Sequence, residues 1–132
     1  YVPSKDALLD GVQEVILADL APQVRHSDWQ STASAMARDF RNVLARHPRA
    51  IPVFSRPAAT ERVFERMELP LQVLEDAGFE ELEALLAFQV VLAFVVGHAM
   101  WQFTPDGDRA VDDEFEFGLK TLILGLEARL SG

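Results

Sequence analysis

The sequence predicts an all-α domain, and three observations lead to this fold class. Apolar residues recur at helical spacing in several separate segments, and no segment alternates polar and apolar residues as a half-buried strand would. A long stretch in the second half is apolar on nearly every side. Prolines and glycines fall between the segments, where helices end. We therefore expect about six helices, arranged to cover one central apolar helix.

The composition limits what this domain can do. The chain has 132 residues, of which 49% are hydrophobic, enough for one domain with a real core. It has no cysteine, which excludes disulfides and thiolate chemistry and favours a cytoplasmic protein. The net charge is −9, and residues 73–132 carry the entire acidic excess. Because an acidic surface repels phosphate, we do not expect this part of the chain to bind nucleic acid unaided.

The first two helices are marked by capping residues and prolines. Ser4 can cap the first helix, which we expect to end at Pro22. Its apolar residues are Leu8, Leu9, Val12, Val15, Ile16 and Leu20. Ser27 and Gln30 have the spacing of a capping box at the start of the second helix, which Pro48 ends.

Residues 49–59 predict a short helical turn or loop, because they contain two prolines among apolar residues. Val53 and Phe54 are too apolar to be left in water, so we expect this segment to be tucked inward. The next helix contains Pro70, which should kink it, and Gly78 is expected to cap its end.

The central helix, expected to reach about residue 103, has almost no polar face. Only Gln89 and His98 interrupt the apolar run from residue 84 to residue 101, so we expect a buried position in the middle of the domain. Glutamates in its first turn and these two interruptions argue against a membrane span. Gln89 and His98 are nine residues apart and therefore face opposite sides of the helix.

The last helix is expected to begin near Asp112 or Asp113. Its apolar face is wider than packing against the rest of the domain requires, which indicates a second contact surface. The stripe consists of Phe115, Leu119, Leu122, Leu126 and Leu130.

Catalysis is poorly supported by the sequence. The three histidines lie on separate segments without ligand-spaced partners, and no glycine-rich loop could hold a phosphate. We therefore expect no enzyme, no metal site and no cofactor. A cavity for a small molecule is a sharper hypothesis, because large or aromatic residues lie on the inward faces of different segments. From the residues alone, however, we favour the alternative that these side chains simply fill the core; they are Met36, Phe40, Phe54, Phe64, Met67 and Phe88.

Several stretches resemble the effector-binding and dimerisation domain of TetR-type transcriptional regulators. Residues 1–10 resemble the junction between the DNA-recognition helix and the first helix of that domain. Gly78-Phe79 with the apolar helix that follows, and residues 115–119 and 124–130, are similar to the family in spacing and character. The resemblance implies that residues 1–4 are a remnant of an N-terminal helix-turn-helix domain and that residues 5–132 form the effector domain. It also implies that Tyr1 and Lys5 lie near DNA phosphates.

The resemblance further implies a homodimer, in which the last two long helices form a four-helix bundle with the partner. The over-apolar central and final helices agree with this arrangement. The interface residues expected from it are Val95, Gly97, Phe115, Leu119, Leu122 and Leu126.

Residues that would bind the effector follow from the same resemblance. In tetracycline repressors the buried helix contributes contacts at positions that match Leu85, Phe88, Gln89 and Leu92. Together with the inward-facing residues above, the expected ligand-binding set is Met36, Phe40, Val53, Phe54, Phe64, Met67, Leu85, Phe88, Gln89 and Leu92. Pro52 takes the place of the histidine that holds drug-bound magnesium in those repressors. We therefore expect an apolar or aromatic effector without a metal.

The resulting hypothesis is a ligand-responsive transcriptional regulator, with repression as the expected direction. Effector binding would shift the first helix, residues 5–21, and so weaken the binding of operator DNA by the missing N-terminal domain. We expect no membrane partner. The alternative is a helical homodimeric interaction module with a filled core and no effector.

Overall fold

Five α-helices and one 3₁₀ helix make up the fold in a computed structural model that describes residues 4–55, 61–101 and 109–131. They are α1 (Lys5–Leu17), α2 (Trp29–Arg46), the 3₁₀ helix (Pro48–Ser55), α3 (Glu61–Ala77), α4 (Glu81–Trp101) and α5 (Arg109–Ser131). All regular structure in the described ranges is helical, which confirms the predicted fold class. Tyr1 and the side chains of residues 61–64, which include Phe64, lie outside the described part.

Helix starts follow side-chain caps, with one correction. Ser4 caps α1 as predicted, since its hydroxyl oxygen accepts a hydrogen bond from the Ala7 amide at 3.1 Å. The cap of α2 is Asp28 and not Ser27, because the Asp28 carboxylate accepts from the Ser31 amide at 2.6 Å. A carboxylate at this position also interacts favourably with the positive end of the helix dipole.

Helix ends agree with the sequence at two places and differ at two. α2 stops before Pro48, and Gly78 ends α3 with φ +118°, a conformation that favours glycine. However, α1 ends at Leu17, five residues before Pro22, and its last turn is followed by a hydrogen-bonded turn. α5 begins at Arg109, a few residues earlier than predicted.

The buried face of α1 also differs from the predicted stripe. Leu8, Val12 and Val15 are exposed, at 54%, 40% and 72% of their surface. Ile16, which belongs to the predicted stripe, is buried at 4%, and Gln13, which does not, is buried at 1%. The reason is that α1 packs against α2 and the 3₁₀ helix along one side, where the Gln13 amide has a backbone partner.

Two apolar clusters stabilise the domain, and α4 contributes to both. The larger cluster joins α2, the 3₁₀ helix, α4 and α5 through residues that include Leu44, Val95 and Phe115. The smaller one joins α3 and α4 around Phe79, whose ring meets Trp29 edge to face at 5.5 Å. Burying such side chains typically stabilises a fold by about 1.5–3 kcal/mol each. α4 is therefore the central helix, as predicted.

One face of α4, however, is open in a single chain, which corrects the expectation of burial on all sides. The helix is long and apolar enough to cross a membrane by length and composition, and only 22% of its apolar window is buried. Its large exposed side chains are Leu82, Leu86, Val90, Leu92, Met100 and Trp101. The neighbouring α5 exposes Phe117 and Leu124 as well, at 76% and 52%. Two adjacent helices thus present apolar surface that one chain does not cover.

Candidate functional site

A cavity with a volume of about 910 Å³ lies among α1, α2, the 3₁₀ helix, α3 and α4. This size falls within the range of about 300–1,000 Å³ that is typical of small-molecule sites. Its walls are mostly aliphatic and aromatic side chains, with a few polar groups. Helical periodicity brings these residues together, because each helix turns an apolar stripe toward the same interior space.

Seven of the ten predicted ligand-binding residues line this cavity: Met36, Phe40, Phe54, Met67, Phe88, Gln89 and Leu92. Leu85 lines a different, more open cleft between α3 and the start of α4. Val53 is not a lining residue, because its neighbour Phe54 turns inward in the 3₁₀ helix while the Val53 carbonyl binds Gln13. The side chain of Phe64 lies outside the described part of the chain.

An aromatic wall connects α2 with the 3₁₀ helix. The rings of Phe40 and Phe54 meet edge to face, with their centroids 5.5 Å apart and an interplanar angle of 73°. Phe40 is 7% exposed and also belongs to the larger core cluster. The wall is therefore held by core packing on one side and faces the cavity on the other. A planar or aliphatic ligand could contact both rings.

Two fully buried polar side chains line the cavity, and sequence reasoning missed both. Gln13 is 1% exposed and donates from Nε2 to the Val53 carbonyl oxygen at 2.6 Å. Thr32 is also 1% exposed; its hydroxyl donates to the Asp28 carbonyl at 3.0 Å and accepts from the His26 amide at 2.9 Å. Gln13 could have been found, because this polar residue falls on the helical stripe between Leu9 and Ile16.

Charged and polar groups occupy the outer part of the cavity wall. His26, Asp39 and Arg66 are its titratable lining residues. The Asp39 carboxylate accepts a hydrogen bond from the Ala21 amide at 2.9 Å, so it is partly satisfied within the protein. Gln89 is exposed and lines the cavity, rather than being a buried amide as its apolar surroundings suggested. The site thus combines an apolar interior with a polar margin.

His98 lies on the other side of α4, as its spacing from Gln89 predicted. Its side chain is 7% exposed and packs against the rings of Phe94 and Phe115, with centroids 5.9 and 5.4 Å away. Its Nε2 lies 3.3 Å from a Glu114 oxygen. Burial and the nearby Arg41 guanidinium lower the pKa of His98, and Glu114 acts in the opposite direction. His98 therefore belongs to the contact between α4 and α5, not to the cavity.

No metal-ligand cluster is formed within residues 4–55, 61–101 and 109–131, because no three His, Asp or Glu side chains there come close enough together. Pro52 is exposed and does not line the cavity, whereas Phe54 from the same 3₁₀ helix does. The inward group of this segment is thus a phenyl ring, which cannot hold a cation-bound ligand through a ring nitrogen.

The predicted dimer contacts need correction. Val95, Phe115 and Leu119 are 1%, 0% and 1% exposed within one chain, so they have no surface left to bury against a second copy. They face the core because α4 and α5 pack against α2 on that side. Leu122 and Leu126 are half-buried, and Leu126 and the exposed Gly97 line the cavity.

Lys5 is exposed at the first turn of α1. It is the only predicted DNA-contact residue in the described ranges.

Known proteins are similar to this chain in both sequence and fold. The family described as tetracyclin repressor-like, C-terminal domain, matches residues 21–106. The class E tetracycline repressor protein of Escherichia coli is 28% identical, over 98% of this chain and 74% of that protein. The class C tetracycline repressor protein of Escherichia coli is 30% identical, over 98% of this chain and 60% of that protein.

Two solved structures extend the similarity to three dimensions. A TetR variant from Acinetobacter baumannii AYE, crystallised in complex with minocycline, has a TM-score of 0.85 and 30% identity, over 98% of this chain and 75% of that chain. TetR from the same organism has a TM-score of 0.76 and 27% identity, over 96% and 76%. The chain belongs to the tetracycline repressor-like C-terminal domain family, the effector domains of ligand-responsive transcriptional regulators.

Proposed function

We propose that the cavity of about 910 Å³ binds a small apolar or aromatic effector and that this binding changes the DNA affinity of the whole regulator. The observation that carries the proposal is the cavity itself, which gathers side chains from α2, the 3₁₀ helix, α3 and α4 around one space. A core filled with side chains would leave no such space. Most of the lining is apolar, so the main binding contribution would be burial of ligand surface.

The chemistry of the lining supports an effector without a metal ion. Met36 and Phe54 contribute a thioether and a phenyl ring, which favour contacts with apolar or aromatic groups. The related TetR variant was crystallised in complex with minocycline, so minocycline is the natural comparator, added with magnesium to test for metal-dependent binding. We propose that this chain prefers a neutral apolar compound of similar size.

Dimerisation through α4 and α5 is the second part of the proposal. Both helices carry large exposed apolar side chains, and a second copy related by twofold symmetry would cover the same patch on each chain. The exposed residues that we propose for this contact are Leu86, Val90, Phe117 and Leu124. This set replaces the core residues Val95, Phe115 and Leu119.

Signal transfer to DNA is the third part. We propose that residues 5–132 form the effector domain, that residues 1–4 belong to a DNA-binding domain, and that Tyr1 and Lys5 lie near the phosphates. The position of Lys5 in an exposed first turn supports this, because a lysine there can reach an anionic surface. Operator DNA as the partner favours a cytoplasmic location, and the repressor relatives favour regulation over catalysis.

A thermal-shift and titration series tests the effector proposal. A ligand at 100 times its Kd should stabilise the native state by about 2.7 kcal/mol, and so raise the Tm by roughly 10 °C for a domain of this size. At one fixed ligand concentration, neutral aromatic compounds should therefore give larger shifts than minocycline with magnesium.

A pair of matched variants separates the cavity from the proposed dimer face. Phe88→Ala should weaken effector binding about tenfold and leave dimerisation unchanged, because Phe88 lines the cavity. Phe117→Ala, the same substitution at a ring that is 76% exposed, should weaken dimerisation and leave effector binding unchanged. Equal effector affinity in both variants would exclude this cavity as the binding site.

A further inference from the structure

One wall of the cavity differs from all others in the described part of the chain. Residues 20–26, which we call the strap, connect α1 to α2 without helix or strand. Six of these seven residues line the cavity, and Arg25 is the exception. Residues 21–26 are also exposed to solvent, so the strap is a wall only one residue thick. The remaining described lining residues lie on helices.

The two ends of the strap are tied to α2 through backbone amides. The Ala21 amide donates to the Asp39 carboxylate at 2.9 Å, and the His26 amide donates to the Thr32 hydroxyl at 2.9 Å. Thr32 is buried, so the second tie is protected from water. These ends are therefore suited to act as fixed points around which the middle of the strap could turn.

Exposed side chains tie the middle of the strap to the described residues of α3. Gln23 Nε2 donates to the Arg66 carbonyl oxygen at 3.1 Å. Arg25 Nη2 pairs with Asp76 Oδ2 at 2.7 Å, and both side chains are nearly half exposed, at 46% and 45%. Hydrogen bonds from Arg25 and Gln72 lower the pKa of Asp76, which keeps the pair ionised. Such exposed contacts are weak and break readily.

Every other way into the cavity disturbs more of the protein. Moving α2, α3 or α4 would expose buried side chains such as Phe40, Val73 and Val95. The cavity is also bordered by exposed residues of α4, among them Leu92 and Met100. That side adjoins the apolar face which a second copy covers in the proposed dimer. The strap is then the wall whose displacement costs least.

We propose that the strap is the entrance gate of the effector cavity, with Arg25–Asp76 as its latch. The proposal rests on the effector site and the dimer of the preceding section. Opening swings residues 22–25 away from α3 while the ties at Ala21 and His26 hold. Because the gate is closed both before and after binding, a weaker latch raises the association and dissociation rate constants together. The equilibrium constant then changes little.

Stopped-flow fluorescence with N-phenyl-1-naphthylamine, a neutral apolar probe, tests the gate. Asp76→Asn should raise both rate constants about two- to fivefold and change the Kd less than twofold, as expected for loss of an exposed ion pair. The matched control is Glu116→Gln, which breaks the Arg38–Glu116 pair of similar exposure, 52% and 46%, away from the cavity. It should leave both rate constants unchanged.

Two further measurements make the result specific to the latch. Exchanging the charges, Arg25→Asp with Asp76→Arg, should restore the original rate constants. Added NaCl should raise the rate constants of the unmodified chain more than those of Asp76→Asn, because salt screens the exposed pair. Rate constants in Asp76→Asn equal to those in Glu116→Gln would overturn the gate while leaving the cavity proposal intact. Probe binding that Phe88→Ala does not weaken would overturn the cavity proposal, and the gate with it.

Discussion

The substitution Gln13→Met tests how a ligand in the cavity could move α1. Gln13 is 1% exposed and is the side chain that ties the middle of α1 to the 3₁₀ helix, through a 2.6 Å bond to the Val53 carbonyl. Phe54, the next residue, faces the cavity. Methionine has a similar size but cannot donate a hydrogen bond. The change should therefore loosen this connection and cost about 1–3 kcal/mol of unfolding free energy, because it removes the donor from the part-buried Val53 carbonyl.

The geometry of α1 determines how much motion the connection could transmit. The turn just after α1 is fixed to the end of α2, because Asp19 Oδ2 lies 2.6 Å from His47 Nε2 and the Asp19 carbonyl accepts from Arg46 at 3.3 Å. At a rise of about 1.5 Å per residue, Gln13 lies roughly 6 Å and Lys5 roughly 18 Å along the helix from Leu17, the last residue of α1. A shift of about 1 Å at Gln13, with the end of α1 held in place, would then move Lys5 by roughly 3 Å.

Hydrogen exchange of the α1 amides, with and without saturating N-phenyl-1-naphthylamine, measures this coupling. In the unmodified chain the probe should change exchange across residues 5–17, and in Gln13→Met that response should largely disappear. The probe Kd should change less than threefold. Gln30→Met is the control, since Gln30 also makes a 2.6 Å bond, to Glu127 on α5, but does not line the cavity. An equal change in α1 hydrogen exchange on probe binding in both variants would refute this coupling between the cavity and α1.

Three further predictions concern stability and assembly. Gly118→Ala should lower the free energy of unfolding, measured in urea, by about 1–3 kcal/mol, because a Cβ there would lie 2.6 Å from the ring of Phe94. Gly11→Ala should instead raise it by about 0.5–1 kcal/mol, because a Cβ there meets nothing within 4 Å. The pKa of His98 is lowered from 6.5 in the folded state, so the free energy of unfolding should fall as the pH drops below about 6.5. His98→Met should reduce that loss, and equal profiles of unfolding free energy against pH in the two proteins would contradict this explanation. Leu124→Glu should raise the dimer dissociation constant at least roughly 100-fold in sedimentation experiments, since twofold symmetry buries two unpaired charges.

The sequence was sufficient for the helices and for their order, because the local signals were strong. Pro48 and Gly78 stop helices through effects of their own backbones, which depend little on the rest of the fold. The covered face of α1 could not be read in the same way. Leu8 and Val15 have the right spacing for burial, but only a short side of α1 meets α2 and the 3₁₀ helix. Which of two apolar stripes is covered depends on the neighbouring elements.

The same limit applied to the central helix. An apolar run predicts that a helix will be covered, but it does not say by which chain. α4 leaves Leu86 and Val90 exposed, at 51% and 47%, although its sequence is as apolar there as at the buried Val95. For this reason the predicted interface on α4 and α5 included residues that belong to the core. Exposure in one chain, which only the fold provides, separates the two groups.

Cavity and core could not be distinguished by residue type either. Phe54 lines the cavity and Phe115 fills the core, and both are aromatic residues on helical stripes. The two buried polar residues are more informative, because a buried polar group needs a partner, and the helical backbone has few groups to spare. Gln13 finds a carbonyl of the 3₁₀ helix, and Thr32 finds an amide of the strap. Such segments fill space less regularly than α-helices do. A polar residue on an apolar stripe therefore marks where irregular backbone approaches the core, and in this chain both of these places are walls of the cavity.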